Sequence, residues 1–495
     1  MTPGLLIGVL AAYFGLLIMI SILTGRKSTG NADFFLAGRK SNWVLVAIGM
    51  IGASLSGVTF ISIPGVVGAG GVNKDFAYMQ IVLGYLIGYF VIAAVLMPLY
   101  YRLNLTSIYG YLESRFGKFS YKTGAAFFLV SRLIGSSFRL YLVAIVLQRF
   151  ILNAYGIPFW LTVLMTLALI WIYTYRGGIK TIVITDTFQT VAMLGSVVLT
   201  IFAIGNALDK NIFELFSTIG NTEYSRIFFF EGGWQDPNNF FKQVISGALI
   251  AIVMTGLDQD MMQKNLSCRN LREAQKNMAT FSFILIFANL LFLSLGALLY
   301  IYAAETGINI PERTDQLYPT IALQHLPVFA GIVFIIGLTA AAYSSADSAL
   351  TALTTSFCVD FLDIEKKDAP ESAKTKTRLI THVGFTIATF LVIIIFNAIN
   401  NEAVINKLFT IAGYTYGPLL GLFTFGILMK NYQVRDRWAP LVCIAAPLVS
   451  WLIDANSAAL LGGFTFGFLI VALNGWLTFI GLWAVSYKET RLAEI

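Results

Sequence analysis

Long runs of apolar residues alternate with short polar connectors along the whole chain. A helix that crosses the hydrocarbon core of a bilayer needs about 20 mostly apolar residues. The longest connectors are 206–239, 304–326 and the charged segment 362–375, and none is long enough for a soluble domain. The pattern therefore predicts an all-α polytopic membrane protein with one transmembrane domain over 1–495. A window of about 20 residues places thirteen spans near 4–24, 43–70, 76–101, 121–152, 158–176, 181–205, 240–260, 276–303, 327–361, 376–398, 404–430, 437–454 and 460–484.

Composition supports this prediction and excludes several classes of protein. Hydrophobic residues make up 57% of the chain and charged residues only 12%, about half the roughly 25% that is typical of soluble domains. This excludes a soluble enzyme and a nucleic-acid-binding module. His325 and His382, which are the only histidines, lie on different predicted helices and are not accompanied by a nucleophile or by a set of metal ligands. The sequence therefore does not indicate an enzyme.

The net charge of +7 is explained by membrane topology rather than by binding to nucleic acid. Most of the 33 lysine and arginine residues fall in every second connector, starting with the one after the first predicted span. Basic residues collect on the cytoplasmic side of membrane proteins. We therefore expect a multi-pass protein of the cell (inner or plasma) membrane, with its N-terminus outside and its C-terminus in the cytoplasm.

The second predicted span, 43–70, contains residues that weaken a helix. Small and hydroxyl residues are concentrated at 52–57, and Pro64 follows in the same span. Proline removes a backbone donor and clashes with the preceding turn. A helix broken near the bilayer midplane can expose carbonyl oxygens to ions and substrate. The alternative is an unbroken helix whose small residues allow close packing.

The ninth predicted span, 327–361, carries polar groups on one face. Ser344, Asp347, Ser348 and Thr351 recur at the helical spacing i, i+3, i+4 and i+7. A hard cation such as sodium is bound by several oxygen ligands, which this face offers. The alternative is a serine-rich contact between helices. Asp347 favours a site, because a carboxylate at midspan costs roughly 2.5–3.5 kcal/mol on insertion scales and needs a partner. Asp186, at the cytoplasmic end of span 181–205, is either a second such carboxylate or an interfacial residue.

Several short motifs, taken together in their order and spacing, resemble the sodium/solute symporter family, the relatives of bacterial proline, galactose and sialic acid carriers. The motifs lie at 33–39, 102–107, 111–113, 174–179, 185–186, 260–264, 344–345 and 413–418. The resemblance implies a LeuT-like core of five plus five helices in an inverted repeat. Repeat one would be 43–205 and repeat two 240–430, with a leading helix at 4–24 and peripheral helices over 437–484.

The resemblance also implies a sodium site shared by the second and ninth spans. Its ligands would be the backbone carbonyls of Gly52, Leu55 and Ala341 and the hydroxyls of Ser344 and Ser345. Where relatives have alanine this chain has Gly52, a harmless change if only the carbonyl binds sodium.

A second sodium site, present in some members, would here use Ser344, Asp347, Ser348 and Asp186. Relatives in the sialic acid branch have serine at the position of Asp347. Asp347 would therefore hold sodium more tightly, take up a proton, or pair with an arginine.

The substrate is expected beside the sodium site, between the interrupted spans. The candidate residues are Ser54, Ser56, Thr59, Tyr78 and Gln80 from the first repeat and Arg139, with Tyr414 and Tyr416 closing the cavity from the eleventh span.

Arg132 and Arg139 lie seven residues apart, on one face of the fourth predicted span. In the sialic acid branch an arginine on this helix binds the substrate carboxylate, but Gly135 aligns with it here and Arg139 lies one turn further along. Either Arg139 binds an anionic solute from this shifted position, or it pairs with an internal acid such as Asp347 or Asp258. The second alternative leaves a neutral solute such as a sugar or polyol.

The expected function is sodium-coupled import of a small polar organic solute (sugar, polyol, sugar acid or amino acid) by alternating access. The expected partners are sodium, the solute and the lipid bilayer, without nucleic acid and with the monomer as the functional unit. The main alternative is a proton-coupled carrier on the same scaffold that uses Asp347 as its relay. A channel or receptor on this scaffold is a further rival.

Overall fold

The computed structural model describes residues 3–25, 31–174, 178–399 and 404–488. Within them the chain is almost entirely helical, which confirms the all-α prediction. The end of predicted span 158–176 and part of the motif at 174–179 lie outside the described residues. Each predicted span corresponds to a helix, and these helices are α1 (Pro3–Gly25), α2 (Trp43–Val66), α3 (Tyr78–Arg102), α4 (Lys118–Phe150), α5 (Phe159–Thr174), α6 (Gly178–Ala207), α7 (Phe240–Gly256, continuing as Gln259–Leu266), α8 (Leu271–Thr306), α9 (Val328–Phe361), α10 (Glu371–Ile399), α11 (Val404–Leu428), α12 (Asp436–Ala455) and α13 (Gly467–Ala484).

Eleven of these helices are long and apolar enough to cross a membrane, and the bent α7 raises the number to twelve in the described part of the chain. The remaining helix, α5, is apolar but has only 16 residues. Outside the spans, short helices lie at Asn31–Leu36, Gly110–Arg115 and Ile212–Gly220. Two short strands, β1 (Tyr432–Val434) and β2 (Ser486–Lys488), pair antiparallel. This pair, which the sequence did not predict, ties the α11–α12 connector to the segment after α13.

The helices are enclosed to very different degrees. In α2 and α9, 78% of the most apolar window is buried, against 28% in α1, 22% in α12 and 33% in α13. The two helices that carry the predicted sodium ligands therefore lie at the centre, where they pack against each other and against α4 and α6. The leading helix and the last two helices are much less enclosed, and their place outside the core stays a prediction. The division into repeats at 43–205 and 240–430 stays a prediction.

Close helix packing depends on glycine where α3 crosses α7. A Cβ built on Gly84 would lie 2.2 Å from the carbonyl oxygen of Val244, and one on Gly247 would lie 2.1 Å from that of Ile81. Both distances are shorter than any tolerable contact, so only glycine fits at these two points. The first helix of predicted repeat two, α7, thus packs closely against α3 through glycine.

Candidate functional site

Helix α2 is interrupted at Ser56. Its φ of 43° and ψ of 174° lie outside the helical region, within a segment that is otherwise helical from Trp43 to Val66. A positive φ is uncommon for a residue with a side chain and is retained where surrounding structure holds it. Downstream, the hydroxyl of Tyr300 donates a 2.6 Å hydrogen bond to the carbonyl of Gly65, next to Pro64. The structure therefore favours the broken-helix interpretation over the unbroken one.

Helix α7 contains a second interruption, with a bend of 64° between Gly256 and Gln259. Two tyrosine hydroxyls bind carbonyl groups at the break: Tyr100 donates to Gly256 at 2.8 Å and Tyr109 to Leu257 at 2.9 Å. The second half of the helix starts at Asp258, whose carboxylate accepts from the backbone N–H of Asp260 at 2.9 Å. This satisfies a free helix-end donor. The predicted span 240–260 missed this break and ended six residues early, because helix resumes and continues to Leu266.

The predicted sodium ligands meet where α2 faces α9. Gly52 and Leu55 on α2 and Ala341, Ser344 and Ser345 on α9 are all buried. A Cβ built on Gly52 would lie 3.1 Å from the Ser344 hydroxyl oxygen, so the two helices are in direct contact here. The structure brings Gly52 and Ser344 of this set into contact, and the role of the five residues as sodium ligands stays a prediction.

The two serine hydroxyls of that set contact charged groups of opposite sign. Ser344 donates a 2.7 Å hydrogen bond to the carboxylate of Asp186 on α6. Ser345 accepts a 3.1 Å hydrogen bond from Nη1 of Arg139 on α4. Any cation held by both hydroxyls would therefore lie near one carboxylate and near one guanidinium group.

Gly52 has a packing role beyond its carbonyl. Its backbone N–H donates to the hydroxyl of Thr190 at 3.0 Å, and a Cβ at this position would lie only 2.4 Å from that oxygen. The Thr190 hydroxyl also donates 2.8–2.9 Å hydrogen bonds to the carbonyls of Asp186 and Ile48. Alanine would not fit at this position in the present structure, because the space for its methyl group is taken by Thr190.

Replacing Gly52 with alanine is expected to destabilise the folded protein by about 1–3 kcal/mol, the usual cost of overpacking a core. Removing the obstructing hydroxyl in Gly52→Ala/Thr190→Ala is expected to cost less than the sum of the two single substitutions, because the residues share one space. Thermal unfolding of the four proteins in detergent measures this coupling. Additive effects would show that the methyl group of alanine is accommodated without Thr190 moving.

The carboxylates of the predicted second sodium site are engaged by other groups. Lys264 donates a 2.7 Å hydrogen bond to Asp186, and both side chains are almost completely buried. The hydroxyl of Ser348 donates to Asp260. Asp347 accepts from the hydroxyl of Tyr173 at 2.9 Å and from the backbone N–H of Ser348 at 2.5 Å. The lysine ammonium thus supplies a cation at Asp186, and the second sodium site stays a prediction.

The two arginines of α4 have different partners. Arg132 forms an ion pair with Asp260 and lies 3.8 Å from Asp258, whose carboxylate also accepts a 2.5 Å hydrogen bond from the hydroxyl of Tyr416. Arg139 has no carboxylate within 4.0 Å among the described residues. Its Nε also has no hydrogen-bond partner there. The predicted alternative in which Arg139 pairs with Asp347 or Asp258 is therefore wrong for this arrangement, because Tyr173, Arg132 and Tyr416 occupy those acids.

A cavity of about 70 Å³ lies beside the break in α2. Five of the predicted substrate residues line it, namely Ser54, Ser56, Thr59, Tyr78 and Arg139. Sequence reasoning missed other lining residues, among them Tyr85, Tyr89, Met254, Thr255, Asn289 and Phe409. Tyr85 could have been found from its position, since it follows Tyr78 by two helical turns and its hydroxyl lies 3.1 Å from that of Tyr78.

Two predicted substrate residues lie elsewhere. The side chain of Gln80 donates to the carbonyl of Asn238 at 2.8 Å and accepts from the backbone N–H of Phe229 at 3.1 Å, so it anchors the 221–239 loop. The hydroxyl of Tyr414 donates to Asp454 on α12 at 2.8 Å. Neither lines the cavity, and we remove both from the candidate substrate site. Tyr416 remains close, through its bond to Asp258.

Comparison with known proteins identifies the family. The model of the sodium:solute symporter family matches residues 34–435, which is most of the chain. The chain belongs to the sodium:solute symporter family. Among its relatives, the sodium/sialic acid symporter NanT of Aliivibrio fischeri is 26% identical over 95% of this chain and 92% of its own length. The human sodium/iodide cotransporter is 25% identical over 80% of this chain and 61% of its own length. Mouse sodium-coupled monocarboxylate transporter 1 is 26% identical over 80% of this chain and 64% of its own length.

Solved structures agree on the fold. A sodium-coupled sialic acid symporter in a substrate-bound, outward-open state superposes with a TM-score of 0.80 at 22% identity, over 96% of both chains. The nucleobase-cation-symport-1 transporter Mhp1 gives a TM-score of 0.56 at 11% identity, over 93% of this chain and 95% of its own. The expected LeuT-like fold is thereby confirmed. As a family member the chain is a sodium-coupled symporter and a multi-pass membrane protein, not an enzyme, and the comparisons do not favour the proton-coupled alternative.

Proposed function

We propose that this symporter imports a small organic carboxylate together with sodium. The observation that carries the proposal is Arg139: a buried guanidinium that lines the cavity and has no carboxylate partner within ion-pair distance among the described residues. Burying an unpaired charge is costly unless a counter-ion satisfies it. A carboxylate in the cavity supplies that counter-ion, and its geometry matches the planar guanidinium fork.

The nature of the relatives supports an anion. The three relatives above are named for the transport of sialic acid, iodide and monocarboxylates. Hydroxyls of Ser54, Ser56, Thr59 and Tyr78 around the cavity suit a polar carboxylate such as a sugar acid, while Met254 and Phe409 offer apolar contact on other walls. Sugars and polyols without an acid group would leave Arg139 without a counter-ion. We therefore favour carboxylates over these neutral solutes.

The mechanism we propose is alternating access with one sodium ion. Sodium would bind the carbonyls of Gly52, Leu55 and Ala341 and the hydroxyls of Ser344 and Ser345, holding the broken α2 against α9 next to the solute. Because Lys264 already neutralises Asp186, we do not include a second sodium. Release would occur on the cytoplasmic side, with the N-terminus outside, in the cell membrane, and with the monomer as the functional unit.

A thermal-shift screen tests the solute class. Purified protein is heated with sugar acids, short monocarboxylates, amino acids and neutral sugars, in sodium chloride or in potassium chloride of equal ionic strength. A ligand that binds only the folded state raises the unfolding temperature. We expect stabilisation by a carboxylate only when sodium is present. Equal stabilisation by its amide or methyl ester would contradict the proposed role of Arg139.

A further inference from the structure

We infer that Arg139 is also the coupling element: in the absence of solute its positive charge at Ser345 opposes sodium binding, and the anionic solute removes that opposition. The inference rests on the proposed function, because it requires both the sodium site between α2 and α9 and an anionic solute. It concerns a contact that the sequence did not predict. This contact is the hydrogen bond from Arg139, a candidate solute-binding residue, to Ser345, a candidate sodium ligand.

The contact is short and enclosed. Nη1 of Arg139 lies 3.1 Å from Oγ of Ser345, and relative exposure is 8% for the arginine and 0% for the serine. A hard cation typically lies about 2.5 Å from its oxygen ligands. Sodium on Ser345 would thus share one hydroxyl oxygen with a guanidinium group. Two like charges this close, away from water, disfavour each other strongly.

No carboxylate among the described residues pairs directly with Arg139. The nearest arginine on the same helix, Arg132, is paired with Asp260 and Asp258. Asp347 on α9 is bonded to Tyr173, and Asp186 on α6 is bonded to Lys264 and Ser344. The guanidinium group of Arg139 therefore contacts Ser345 without a directly bound counter-ion, while the carboxylate of Asp186 contacts the neighbouring Ser344.

A carboxylate in the cavity changes both the hydrogen bond from Arg139 to Ser345 and the charge of the guanidinium group. A charge-assisted, bidentate bond to the guanidinium is roughly twice as strong as a neutral hydrogen bond, so the solute competes with the Ser345 hydroxyl for Arg139. Its negative charge also neutralises the guanidinium. Sodium affinity then rises when solute binds, and by linkage solute affinity rises equally when sodium binds. A neutral solute cannot produce this effect.

Direct binding of radioactive sodium to purified protein without solute tests the inference. We expect Arg139→Gln and Arg139→Met to bind sodium at a concentration at least tenfold lower than the wild type, because the opposing charge is gone. Arg149→Gln is the matched control: it is the same change on the same helix, at an exposed end where the guanidinium contacts Gln316 instead. Its sodium affinity should equal that of the wild type.

A second measurement uses the unaltered protein and so does not depend on variants that fold. A carboxylate identified in the screen should lower the sodium concentration for half-saturation of the wild type at least tenfold, and its neutral amide should not. Unchanged sodium affinity in both Arg139 variants, or no effect of the carboxylate, would overturn the inference. If sodium still drives carboxylate uptake in that case, the proposed function stands. If the wild type shows no saturable sodium binding even with the carboxylate present, the proposed function itself fails.

Discussion

Arg139→Gln is expected to reduce sodium-driven uptake of the carboxylate solute roughly 100-fold. Truncating one member of a buried charge pair typically costs 2–5 kcal/mol, and about 3 kcal/mol corresponds to a factor of roughly 100. Glutamine keeps a hydrogen-bond donor at this position but has neither the charge nor the fork of two parallel donors. Initial rates of uptake into proteoliposomes, over a range of solute concentrations, measure the loss.

Arg149→Gln again serves as the control and should retain the wild-type rate. The Arg139 variant separates a binding role from a structural one, because solute affinity should fall while sodium affinity without solute should rise. A general disruption of the site would weaken both. If the Arg139→Gln variant takes up the solute at the wild-type rate, the anion is bound by other residues.

Lys264→Met is expected to destabilise the folded protein by roughly 3–5 kcal/mol, the range found when one partner of a buried ion pair is removed. Lys264 and Asp186 have side-chain exposures of 1% and 0%. After the substitution, Asp186 keeps the hydrogen bond from Ser344 but loses its positive partner. Thermal unfolding in detergent should show a clearly lower midpoint than that of the wild type.

The double variant Lys264→Met/Asp186→Asn is the control for this prediction. It removes both charges and leaves no uncompensated ion, so it should recover most of the lost stability. If the double variant is as unstable as Lys264→Met, the loss comes from the packing of the lysine chain and not from the ion pair. The same result would revive Asp186 as a candidate sodium ligand.

The sequence was sufficient to predict where the membrane helices lie along the chain and one of the two helix breaks. Runs of about 20 apolar residues determine where helices cross, so each predicted span corresponds to a helix. The break in α2 was signalled by glycines, hydroxyls and Pro64. The break in α7 has no proline, and Asp258 at its centre resembled a polar residue at the end of a span. Its N-cap role becomes visible only when helix is seen to resume after it.

The sequence could not predict which side chains on different helices pair with one another. Helical spacing correctly placed Arg132 and Arg139 on one face of α4, but the acids that pair with Arg132 come from α7, more than 120 residues away. Similarly, Gln80 lies only two residues after Tyr78 near the start of α3, yet it binds the 221–239 loop while Tyr78 lines the cavity. Such choices depend on how distant helices pack, which no local pattern encodes.

Uptake by reconstituted protein tests the central claim most directly. Wild-type protein in proteoliposomes is given the carboxylate identified in the screen, with an inward sodium gradient or with sodium replaced by potassium at the same membrane potential. We expect the carboxylate to accumulate above equilibrium only with the sodium gradient. We expect no accumulation of its neutral amide. Accumulation that follows a proton gradient in sodium-free buffer, or equal sodium-driven uptake of the amide, would contradict it.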